Sequence, residues 1–296
     1  GISSGRFCQT GSRRLPCAFN IAGITNDNEV HMELCELLQA VRDNPESLVG
    51  PASWGQGRAG FGGLVAALVF ENMRAKVPEG RPLRSLAITF VGPLAVDKPA
   101  RYEAEVLREG KAVSQMLGRV VQDGQVVTIV QGSFGAPRSS VIDVPAEPGP
   151  SMPPVEACQE LPYVPGVTPE FTRYLAMRWG IGGLPFSGNA SRQMGGWVRQ
   201  RGDVPREPMT EAHLLALVDA WPPAVLPHLK SFAPGSSLTW TIEFIQPMPV
   251  LDSHEWCMYR AEIEHARDGY GHCAAALWSP SGELIALSRQ TVTVFG

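Results

Sequence analysis

The stretch Ser237-Leu238-Thr239-Trp240-Thr241-Ile242-Glu243-Phe244 is apolar at every even position and polar at every odd one. That period of two is the mark of a half-buried β-strand. A second stretch, Ser85-Leu86-Ala87-Ile88-Thr89-Phe90, repeats the pattern, with Leu86, Ile88 and Phe90 alternating against small or polar residues. Each is followed by a proline, Pro93 and Pro247. Working outward, each strand is preceded by an apolar helical stretch. The first is Leu64–Met73. The second covers about 210–220, with Thr210 as N-cap and Leu214, Leu217, Val218 and Trp221 at helical spacing. Each is followed by further alternating strands, around 102–106 and 256–264, with turns at Asp123-Gly124, Asp268-Gly269 and Ser281-Gly282. Arg108-Glu109-Gly110 matches Arg267-Asp268-Gly269, and Ser85-Leu86 matches Ser237-Leu238, at offsets of 152 to 159 positions. The chain therefore reads as a duplicated α+β unit, a helix followed by antiparallel strands. An alternating βαβ order, which would separate the strands by helices, does not fit.

Composition narrows the function classes. The 296 residues are 44% hydrophobic and 18% charged, which excludes extensive disorder. A net charge of -4 leaves no electrostatic footprint for nucleic acid. The longest apolar run, Leu64–Phe70, is far shorter than the ~20 residues of a membrane helix. The six cysteines form no C-x-x-C pair and the histidines no spaced cluster, so the pattern predicts reduced, mostly buried thiols and no metal site. Residues 136–165 hold eight prolines and read as an extended connector. The expected division is a leader over 1–31, in which His31-Met32 looks like a cloning junction, a unit over 32–135, the connector, and a unit over 166–296.

Two motifs match only by letter. Gly1-Ile2-Ser3-Ser4-Gly5 has no strand before it, as a nucleophile elbow requires. Gly55-Gln56-Gly57-Arg58-Ala59-Gly60 lacks the parallel strand of a dinucleotide site. Gly62 and Gly63 at a helix start could hold an oxyanion on bare N–H groups, or simply allow close packing. Asp219 lies within an apolar helical face, where a carboxylate is costly unless paired or used. It could equally cap a new turn begun at Pro222 or Pro223. Ser237 reads as a surface serine, and Gln290, in the last strand, has no meaning by itself.

Phe61–Ala67, Leu83–Pro93 with Glu105–Lys111, and Ser237–Pro247 with Ser288-Arg289-Gln290 together resemble the acyl-CoA thioesterase II family, the double-hotdog thioesterases, over about 45–296. The resemblance implies two tandem hotdog units, each a curved antiparallel sheet wrapped around a central helix. It implies hydrolysis of an acyl-CoA thioester, with the family's aspartate, hydroxyl residue and glutamine falling on Asp219, Ser237 and Gln290. Gly62 and Gly63 would then bind substrate across the interface, with one site per chain because the first helix offers only Glu71 at comparable depth. The family usually shows an Asp-His pair where this chain has Thr239-Trp240, and a basic residue where it has Gly92 and Gln246. No cofactor is implied. Acyl-CoA is the expected partner, with neither nucleic acid nor membrane, and with self-association through sheet edges in the cytoplasm. The other classes considered are a non-catalytic acyl-binding module and a hotdog hydratase or dehydratase. The latter resembles Asp followed closely by Asn-Pro and His, whereas here Ala220-Trp221-Pro222-Pro223 and the distant His228 follow Asp219.

Overall fold

The computed structural model describes residues 31–202 and 204–295. The leader expected over 1–31 lies outside the described residues except for His31. Met32 already packs against the core, and its carbonyl accepts a hydrogen bond from Trp54 Nε1 at 2.8 Å.

The chain opens with α1 (Leu34–Asp43), an element that the sequence reading did not assign. Glu33 and Glu36 form a reciprocal capping box at its start, and Leu34, Leu37, Leu38 and Val41 make one buried stripe. Short strands β1 (Leu48–Val49), β2 (Gly55–Gln56) and β3 (Ala59–Gly60) lead into α2 (Gly62–Arg74), which is buried on nearly every side. A meander follows: β4 (Leu83–Phe90), β5 (Pro99–Glu109), β6 (Val113–Gln122) and β7 (Gln125–Gly135). The second half has an edge strand β8 (Gln159–Leu161), then β9 (Leu175–Ile181), β10 (Gln193–Gln200) and α3 (Glu211–Asp219). It ends with β11 (Gly235–Phe244), β12 (Cys257–Arg267), β13 (Tyr270–Trp278) and β14 (Leu284–Val294).

Twelve of these strands form one antiparallel sheet in the order β1-β5-β6-β7-β4-β11-β14-β13-β12-β10-β9-β8. The order β5-β6-β7-β4 on one side mirrors β12-β13-β14-β11 on the other. The two halves meet edge to edge where β4 pairs β11, from Ser85↔Glu243 to Thr89↔Thr239 with Ala87↔Thr241 at the centre. Helices α2 and α3 pack on each other on the inner face. Inward residues alternate as the sequence pattern requires: Leu86 and Ile88 on β4, Trp240, Ile242 and Phe244 on β11.

Both central strands carry an irregularity near their start, at Leu83/Ser85 on β4 and at Ser237/Thr239 on β11. An extra residue in one strand shifts the face of whatever precedes it. Leu83 is thereby fully buried, and Ser237 turns to the helix side. The structural equivalent of Ser237 is therefore Leu83, not Ser85 as the sequence match proposed. Leu86, Phe90 and Pro93 correspond in turn to Trp240, Phe244 and Pro247.

The Pro-rich segment does not run free throughout. Trp197 Nε1 donates to Pro153 O at 2.8 Å, and Met152 and Val155 cover a small cluster of Cys158, Trp197, Met258 and Trp278 on the outer face of the second half of the sheet. Among the described cysteines, Cys158, Cys257 and Cys273 are buried and Cys35 is partly exposed, all as thiols.

Close packing of α2 on the sheet depends on Gly118 of β6, since a Cβ there would run into Val69 Cγ1 and press on Met73. Gly118→Ala should cost about 1–3 kcal/mol by overpacking and lower the melting temperature by a few degrees. Combined with Val69→Ala the two losses should be clearly less than additive in denaturant titrations. Additive losses would show that the contact does not set the helix–sheet spacing.

Candidate active site

The ends of the two helices make the site. Asp219 is the last residue of α3, and Gly62 and Gly63 are the first two of α2. A Cβ on Gly62 would lie 2.9 Å from Asp219 Oδ2, and one on Gly63 would lie 2.9 Å from Asp219 Cβ. Only glycine admits this approach. The N-terminus of α2 is fixed by aromatic stacking across the halves. Phe61 stacks on Phe171 at 4.0 Å, Trp54 on Tyr174 at 4.4 Å, and Tyr174 Oη donates to Ser53 Oγ at 2.8 Å. Nothing in the local sequence marks these partners, which lie over a hundred residues apart.

Asp219, Ser237 and Gln290 come together as one hydrogen-bonded chain. Ser237 Oγ donates to Gln290 Oε1 at 3.1 Å, and Gln290 Nε2 donates to Asp219 Oδ1 at 2.9 Å. The serine thus fixes the amide so that its N–H faces the carboxylate. The Gly63 backbone N–H donates to the carboxylate as well. Ser237 faces inward only because of the irregularity in β11, so it is not the surface serine its strand position predicts. Asp219 does not cap a new turn: the next helical turn, Leu226–His228, is entered through Val225 without a side-chain cap.

By surface Asp219 is half-buried, but its carboxylate has little room for water. Desolvation pushes its pKa up to about 7, and the hydrogen bonds from Gln290 and Gly63 only partly offset that rise. A carboxyl group with this pKa can take and return a proton near neutral pH.

The corresponding place in the first half is apolar. Leu83 stands where Ser237 does. Gly132, the partner of Leu86 across the ladder, stands where Gln290, the partner of Trp240, does. A Cβ on Gly132 would meet Phe134, Leu86 and Met73 within 3.1–3.3 Å. Glu71 is turned away into an ion pair with Arg42 of α1. Trp240, one of the departures from the family pattern, is fully buried beside Gln290 and donates to Ser288 Oγ at 2.9 Å. Gln246, the other, reaches Leu83 O at 3.1 Å. His228 is exposed and shares a hydrogen bond with Ser191 O at 2.8 Å. A cavity of about 340 Å³ opens on the outer face of the sheet between Ser85, Gln131, Ser133 and Glu243, on the opposite side from Asp219.

No helix among the described residues is long and apolar enough to cross a membrane. Residues 50–135 match the acyl-CoA thioesterase N-terminal domain, and residues 155–294 match the acyl-CoA thioesterase C-terminal domain. Acyl-CoA thioesterase 2 of Haemophilus influenzae is 26% identical, over 78% of this chain and 85% of that protein. Among solved structures, a hot dog fold protein from Alicyclobacillus acidocaldarius matches with a TM-score of 0.70 at 24% identity, covering 83% of this chain and 90% of its own. An acyl-CoA thioesterase II from Mycobacterium marinum matches with a TM-score of 0.60 at 20% identity, covering 79% and 89%. The two domain matches span most of the chain in the order in which its two helix-and-sheet halves occur, so it belongs to the acyl-CoA thioesterase family with a hot dog fold.

Proposed function

We propose that this chain hydrolyses acyl-CoA thioesters with a water molecule activated by Asp219. The observation that carries this reading is the Asp219 carboxylate, held by Gln290 and Gly63 at the N-terminus of α2 with its pKa near neutral. Both N–H bonds leave lone pairs on the carboxylate for a water proton. The water oxygen attacks the thioester carbonyl carbon while Asp219 takes its proton. The negative charge on the carbonyl oxygen develops at the positive end of α2, where the Gly62 amide is the donor best placed to receive it. When the tetrahedral intermediate collapses, the carbon–sulfur bond breaks and the Asp219 proton passes to the departing CoA sulfur. Gln290 holds the base, and Ser237 acts through Gln290 as a positioning residue.

The chain is read as a tandem double hotdog with one site. The units are 32–135 and 166–296, joined by the Pro-rich segment 136–165. Pairing of β4 with β11 and the mirrored strand order support this division. Leu83 and Gly132, in place of Ser237 and Gln290, and Glu71 held in an ion pair with Arg42, support a single site. The reading also keeps a cytoplasmic location and self-association through strand edges.

Incubation with short-, medium- and long-chain acyl-CoAs and a thiol reagent should release free CoA, whereas a binding module would release none. Asp219→Asn should lower turnover by about 10²–10⁴ with the fold intact. Ser237→Ala and Gln290→Ala should each cost less, because they position the base and do not take the proton. Turnover of Asp219→Asn within about threefold of wild type would remove Asp219 as the base.

The raised pKa gives two pH signatures. kcat/KM should fall as pH drops below about 7, where Asp219 becomes protonated, and level off above it. Stability should move the other way. The folded carboxyl holds its proton more tightly than the unfolded one, so stability relative to Asp219→Asn is lost as pH rises from about 4 to about 7 and is constant above that. The melting temperatures of the two proteins should separate progressively between pH 4 and 7 and keep a fixed gap from there to pH 9, and a gap that does not change below pH 7 would contradict the shifted pKa.

A further inference from the structure

After Asp219 the chain turns through Ala220-Trp221-Pro222-Pro223, and Trp221 folds onto the inner face of the second half of the sheet. Its ring lies on that of Tyr259 of β12, with centroids 4.9 Å apart and planes 5° from parallel. Trp179 of β9 packs on the same indole at 4.6 Å, tilted by 52°. Trp221 is 5% exposed and Tyr259 7%. The Trp221 indole N–H is buried without an acceptor. Among the described residues no hydrogen bond reaches the Tyr259 hydroxyl either, although that oxygen is not fully enclosed as the indole N–H is. Buried donors of native proteins are nearly always paired, because an unpaired one forfeits its hydration, so the enclosed indole N–H, with an unbonded phenol stacked on it, calls for a partner that binds there.

The stack adjoins the reacting groups. Trp221 is two residues from Asp219, and Cys273, the ladder partner of Gln290, lies near Tyr259 on the same inner face. Burial foremost, with the nearby Asp219 carboxylate added, keeps the Tyr259 phenol protonated and therefore a donor.

We infer that Trp221 and Tyr259 line the acyl end of the site and donate hydrogen bonds to a neutral keto or hydroxyl oxygen on the acyl chain. An indole N–H can only donate, so the atom it meets must be an acceptor. A carboxylate in that place would be a second buried anion facing Asp219. A plain alkyl chain would leave the enclosed indole N–H unpaired, and a site built to hydrogen-bond an oxygen rejects the analogue that lacks it. The inference rests on the hydrolase reading for the passage of the acyl chain past Asp219.

The test uses hexanoyl-CoA and its relatives carrying a keto or hydroxyl oxygen at each carbon beyond the thioester. At least one oxygenated substrate should exceed hexanoyl-CoA in kcat/KM by about tenfold or more. Trp221→Phe and Tyr259→Phe keep the ring stack and should each bring that ratio toward one without lowering the melting temperature. A wild-type enzyme that prefers hexanoyl-CoA to every oxygenated relative overturns the inference, as does a ratio unchanged in both variants. If no thioester is cleaved, the hydrolase reading fails by itself. The same ratio is then read from the affinities of non-hydrolysable CoA thioethers with and without the oxygen. A preference there that both Phe variants erase sustains the inference, and equal affinities overturn it.

Discussion

The close approach of the N-terminus of α2 to Asp219 is the constraint on which the site depends. Two glycines at the start of the helix leave no side chain between the two helix ends, and a Cβ on either would fall 2.9 Å from an atom of Asp219. Contact at that distance brings a carboxylate against the Gly63 N–H and the helix dipole, both of which favour its charge. It also strips away the water that would otherwise solvate it. Desolvation is the larger effect, so the group ends near neutral pKa and not below the ordinary carboxylate range. Any larger residue at position 62 or 63 would part the helices and let water back in.

The two halves of the sheet share a strand order but use equivalent positions differently. The β4–β11 pairing sets both central strands in symmetric register, and each carries the same irregularity. In the second half that irregularity turns a serine toward a glutamine. In the first it buries Leu83, the ladder partner of Phe134, while Gly132 leaves room for Phe134 and Met73. One half thus keeps the polar residues, and the other spends the same positions on core packing. The apolar half anchors α2, whose N-terminus completes the polar half.

The outer face of the second half of the sheet shows why part of the fold is hard to read from sequence. Met152, Pro153 and Val155 cover Trp197 and Met258, so β10 is buried on both faces. A strand covered on both sides has no reason to alternate. Gln193–Gln200, with Gly195 and Gly196 in its middle, accordingly carries no period of two. β9 is masked in the same way. α1 has a clear apolar stripe and an acidic capping box, so its signal is present in the local sequence.

Local sequence determined the elements whose two faces meet different surroundings. The alternation of Leu86, Ile88 and Phe90, and of Trp240, Ile242 and Phe244, marks strands with one face on the core, and the apolar runs before them mark the helices. It also marked Asp219 as a carboxylate in an apolar face, and the resemblance joined Ser237 and Gln290 to it. Only the tertiary structure decided the direction of Ser237, because one extra residue in β11 reverses the face and strand patterning cannot count a bulge. Only it brought Gly63, Asp219 and Gln290 into one hydrogen-bonded group and stacked Trp221 on Tyr259. These contacts join residues far apart in the chain, and their energies depend on burial, which no short stretch of sequence sets by itself.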